Sequence, residues 1–102
     1  MTGMDESKGE WRFRIKEPSD FDRKSIRTKA LPSKSKAINI LVGCPKGHYH
    51  PNIMFKGKRG KCDVGTQTQA YRFKKNKFSR SHAEGWVRRN VCPRNPKVCR
   101  SL

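Results

Sequence analysis

Hydrophobic and polar residues alternate most regularly at Trp11-Arg12-Phe13-Arg14-Ile15-Lys16, where every second side chain is apolar and the others are basic. That period belongs to a strand with one face buried and one face wet. Pro18-Ser19-Asp20 ends it, and Ile26, Thr28 and Ala30 alternate with Arg27 and Lys29 in a second, short strand. Pro32-Ser33-Lys34-Ser35-Lys36 reads as a basic, flexible connection. Ala37-Ile38-Asn39-Ile40-Leu41-Val42 is the most apolar run and is expected to be the central strand, stopped by Gly43. Thr66 to Phe73 alternates again, with Thr, Tyr and Phe suited to a half-exposed strand.

The period then changes. Phe78 precedes Ser79, an N-cap residue for a helix running through Arg89, and Phe78 and Ala83 hold the N′ and N4 positions of a hydrophobic staple. Ala83, Trp86, Val87 and Asn90 follow at helical spacing, and Arg88 and Arg89 oppose the negative end of the helix dipole. Ser81 and Glu84 offer a competing capping box, and Gly85 weakens the helix by about 1 kcal/mol relative to alanine. The expected fold is α+β: a small antiparallel sheet of three or four strands with one C-terminal helix packed on it. The domain spans residues 11–91, with 1–10 a disordered tail and 92–102 an irregular C-terminal tail containing Pro93 and Pro96.

Gln69-Ala70-Tyr71-Arg72-Phe73, Lys77-Phe78-Ser79, Ala83 and Trp86-Val87-x-x-Asn90 together resemble a strand–helix module of phage-associated small proteins, mostly uncharacterised and some head-maturation-protease-like. Phe13 to Lys16, Pro18 to Phe21 and Ile26-Arg27 are similar to the leading segment of the same proteins. The resemblance implies a scaffold and assigns no catalytic residue. The chain departs from it in a Cys/His-bearing insert and in its basicity.

Charge changes the picture most. The chain has 25 Lys and Arg against eight Asp and Glu. Six of the acids lie at or before Asp22, so only Asp63 and Glu84 balance the long basic remainder. Such an excess points to a polyanion, because each neutralised phosphate releases counterions. Arg12, Arg14 and Lys16 form a candidate row of phosphate contacts. Lys56, Lys58, Arg59 and Lys61 form a mobile basic tip on the insert and the leading edge of the nucleic-acid site. Arg72, Lys74, Lys75, Lys77 and Arg80 extend that site, with Tyr49 and Phe55 available to stack on bases.

The insert, residues 44–62, is a long hairpin bracketed by Cys44 and Cys62. Cys44, His48 (with His50 near it), Cys62, Cys92 and Cys99 form the leading candidate ligand set for a structural zinc ion. Two other states stand open: a Cys44–Cys62 disulfide, and four free thiols in a reducing cytosol. Catalysis has no comparable signal, so the chain is read as a non-enzyme. Cys44 and His48 are the one nucleophile–base pairing available, and a metal-dependent nuclease lacks its carboxylate cluster past Asp22. No apolar run is long enough to span a membrane and no leader is evident, so the expected setting is cytoplasmic, in a host cell or virion. The expected partner is DNA or RNA, with no membrane role. The alternative is a phage or mobile-element protein that binds a capsid component or an acidic host protein.

Overall fold

The computed structural model describes residues 4–31 and 37–100. The connection expected at 32–36 lies outside the described residues, as do the first three residues of the N-terminal tail and the last two of the C-terminal one. The fold is a small α+β arrangement of antiparallel strands with one α-helix. Strands β1 (Met4–Ser7), β2 (Glu10–Arg14), β3 (Arg27–Ala30), β4 (Ile38–Gly43) and β7 (Gln67–Lys74) make one sheet in the order β1-β2-β7-β4-β3. Strands β5 (Tyr49–Phe55) and β6 (Lys58–Cys62) make a separate two-stranded ribbon, and helix α1 is Arg80–Asn90.

The sheet is larger than three or four strands, and β7 rather than the Ile38 strand occupies its middle. The added strand is β1, four residues of the expected tail. It pairs Met4 with Phe13 and Asp5 with Arg12, while Glu6 meets Lys75. Met4 is buried on the core side, and the Glu6 carboxylate takes up the Lys75 ammonium beyond the end of β7. An acidic strand thus closes one edge of a basic sheet.

Register separates the two faces. Met4, Trp11, Phe13, Tyr71, Phe73, Ile38 and Ile40 share one side. Phe13, Phe73 and Ile38 join Ala83, Val87 and Val91 in the buried cluster, so the staggered apolar stripe of α1 meets the alternating stripe of the sheet. Trp86 lies edge-on to Phe73 at 5.6 Å and beside Tyr71 at 5.7 Å, and Phe73 meets Phe78 at 5.2 Å. The Trp11 indole donates to the Phe78 carbonyl at 2.9 Å, tying β2 to the helix start. Ser79 is the N-cap and accepts from the His82 amide at 3.2 Å. The competing Ser81 box is unused, because Glu84 pairs with Arg80 instead. Past the helix, Asn95 donates through its side chain to the Val91 carbonyl, and Val98, Cys92 and Cys99 rest against the core.

Candidate nucleic-acid interface

The β5–β6 ribbon leaves the sheet where β4 ends and β7 begins, and its root is fastened several ways. The Asp22 amide donates to the Cys44 carbonyl at 2.9 Å and the Lys46 amide to the Asp20 carbonyl at 3.0 Å. Buried Ser25 accepts from the Cys44 amide at 2.8 Å and donates to the Asp22 carbonyl at 2.6 Å. Gly43 matters here: a Cβ at that position would lie 2.9 Å from the Phe21 ring, which packs across the strand end. Cys44 and Cys62 form a disulfide between the root and the last residue of β6. His50 and Asp63 meet at 2.8 Å beside it, and that hydrogen bond holds the Asp63 carboxyl below its ordinary range.

The tip is a tight turn. Lys56 and Gly57 both have positive φ (52° and 76°), the conformation of a two-residue hairpin turn whose twist matches its strands. Phe55 pairs with Lys58 and Met54 with Arg59 across it, so the cations stand on a paired ribbon rather than on a mobile loop. Register shifts between His50 and Met54, where Pro51, lacking an amide hydrogen, is accommodated in the irregular stretch.

Between the ribbon and edge strand β3 lies an open cleft of about 400 Å³. Arg27 and Lys29 line it from β3, and Tyr49, Phe55, Lys56 and Lys58 line it from the ribbon. No carboxylate is among its lining residues. The Lys56 and Lys61 ammonium groups stand 5.4 and 5.5 Å from the centre of the Phe55 ring. Tyr49 lies directly over Gly60, where a Cβ would fall 2.3 Å from the phenol oxygen.

The nine cations expected to form one site fall into two groups. Lys56, Lys58, Arg59 and Lys61 stand on the ribbon. Arg72, Lys74, Lys75, Lys77 and Arg80 lie at the far end of β7 and beyond, and the strand rise places Lys74 roughly 20 Å from Gln67, where β7 starts beside the ribbon. Three of the second group are neutralised locally. Arg72 donates through Nε to Glu10 at 2.8 Å, Lys75 pairs with Glu6, and Arg80 reaches Glu84 at 3.2 Å. The four ribbon cations have no such carboxylate among the described residues. In the β2 row, Arg14 pairs with Glu17 at 3.6 Å and Lys16 donates to Gln67. Arg27 and Lys29 escaped the sequence reading as site residues. The signal was present, two cations spaced by two on a strand, but their placement beside the ribbon depends on β3 lying at the sheet edge.

The zinc ligand set is not assembled. Cys92 pairs with Cys99 as Cys44 does with Cys62, so all four sulfurs are spent on two bridges. His48 is exposed, and among the described residues no group of three or more potential metal ligands comes together. No helix among them is long and apolar enough to cross a membrane. The chain matches no protein family, no curated protein and no solved structure.

Proposed function

We propose that the protein is a non-catalytic nucleic-acid-binding protein whose leading contact surface is the β5–β6 ribbon with the adjoining edge of β3. The observation that carries this reading is the cleft in which Arg27, Lys29, Lys56 and Lys58 converge with no carboxylate among its lining residues, whereas Arg14, Arg72, Lys75 and Arg80 are each matched to a nearby acid. Unneutralised cations held on a rigid ribbon retain the charge that phosphates need, and their release of counterions makes affinity fall steeply with salt. The Lys74–Lys77 end of β7 supplies a second, weaker contact. The two disulfides suit an oxidising setting, since most cytosols reduce such bridges. A virion or an extracellular site therefore fits them better than a reducing cytoplasm.

The expected outcome is binding whose logarithm falls by roughly 0.7–0.9 per log unit of salt for each phosphate contacted, single strands at the lower figure. Replacing Lys56, Lys58, Arg59 and Lys61 with alanine lowers that slope, as read by fluorescence anisotropy across a salt series. Affinity that ignores salt would sink the proposal. The exposed Ile53 and Met54 favour a second reading, in which the ribbon docks on an acidic protein such as a capsid component or host factor. In that case nucleic acid does not compete for the bound partner.

A further inference from the structure

Building on the nucleic-acid reading, we infer that the cleft between the ribbon and β3 takes single-stranded nucleic acid, with the rings of Tyr49 and Phe55 as stacking platforms and Arg27, Lys29, Lys56 and Lys58 following the backbone. A duplex keeps its bases stacked inside and offers a protein surface chiefly phosphates, for which cations alone suffice. An unpaired strand also offers base faces, and aromatic rings interleaved with cations are the means of holding them.

Both rings have the properties such a platform needs. Tyr49 is pinned at the rigid end of the ribbon: it pairs with Cys62, whose sulfur is bridged to Cys44, and it lies against the bare backbone of Gly60. No side chain at Gly60 lifts the ring, so little order remains to be imposed when a base arrives. Phe55, at the turn end, is 46 % exposed although it is a large apolar ring. The Lys56 ammonium group, which also lines the cleft, stands 5.4 Å from the centre of that ring, so the ring's face is reachable by a charged or flat partner. The absence of any acid along the cleft lets a strand pass without repulsion.

The test compares a short labelled oligothymidylate with a blunt duplex of equal length on wild type, Phe55→Ala and Phe55→Tyr. Phe55→Ala is expected to weaken single-strand binding roughly tenfold, leave duplex binding and the salt slope as they were, and be restored by Phe55→Tyr. On the wild-type protein, the Tyr49 ring protons are expected to shift upfield as the oligothymidylate is added, a readout independent of any variant's folding. Three results overturn the inference while leaving nucleic-acid binding in place: a wild type that prefers the duplex, a Phe55→Ala variant that holds single strands undiminished, or Tyr49 resonances that do not move. Binding to neither form at low salt ends both proposals. Phosphatidylglycerol vesicles that capture the chain and displace the oligothymidylate would reassign the cleft to a lipid surface and likewise overturn it.

Discussion

The sheet with its helix and the β5–β6 ribbon are built by different means. In the first, Phe13, Phe73, Ile38, Val87 and Val91 are almost completely removed from water, and the apolar stripes of strand and helix interlock. In the second, Ile53, Met54 and Phe55 stand in solvent, with Met54 62 % exposed, and no buried cluster forms. The ribbon keeps its shape through a disulfide, a tight turn and hydrogen bonds at its root. A small chain with few apolar residues thus concentrates them under one helix and holds its working surface by covalent and polar ties. The difference separates what must stay folded from what must stay accessible.

Breaking the core should be the costliest change. Phe73→Ala is expected to lower stability by about 3–5 kcal/mol in denaturant unfolding, because it empties the centre of the cluster. A loss below 1 kcal/mol would mean the cluster is not the source of stability. Removing the Cys44–Cys62 bridge with the Cys44→Ala/Cys62→Ala pair is expected to cost about 3 kcal/mol. Its signature is uneven: amides of β5 and β6 lose more hydrogen-exchange protection than those of β2, β7 and α1, which fall only by the loss of global stability. Uniform loss everywhere would erase the distinction drawn above. Ser79→Ala removes the cap at His82 and should cost about 1 kcal/mol, confined to the first turn of α1.

The smallest effect concerns acid. Asp63 has its pKa lowered in the folded chain by the His50 hydrogen bond, so its contribution is present above the ordinary carboxylate range and is lost as pH falls through the depressed value. Acidification should therefore perturb ribbon resonances near His50 and Asp63 only as pH falls below the ordinary carboxylate range. Asp63→Asn is expected to flatten that response.

The alternating strands and the Ser79-capped helix were legible because local period and capping chemistry decide them. Strand β1 was not: Met4–Ser7 carries one apolar residue, and only the unpaired edge of β2 and the cations around it make an acidic tetrapeptide into a strand. The placement of β7 at the centre was also hidden, since strand order is a property of the whole sheet. Cysteine spacing admitted zinc, bridges or free thiols, with zinc the leading reading. It is the hairpin register, with Tyr49 opposite Cys62, that carries Cys62 back to Cys44. The turn at Lys56-Gly57 was read as loose because a lysine with positive φ leaves no mark in composition.

The bridge spanning the ribbon also determines how the molecule fares under digestion. Lys56, Lys58 and Arg59 all sit between Cys44 and Cys62, on an exposed tip suited to a trypsin-like protease. A single nick there leaves both halves joined through sulfur, so the protein migrates as one species until a reductant is added. Damage at this exposed tip is thereby kept from becoming dissociation.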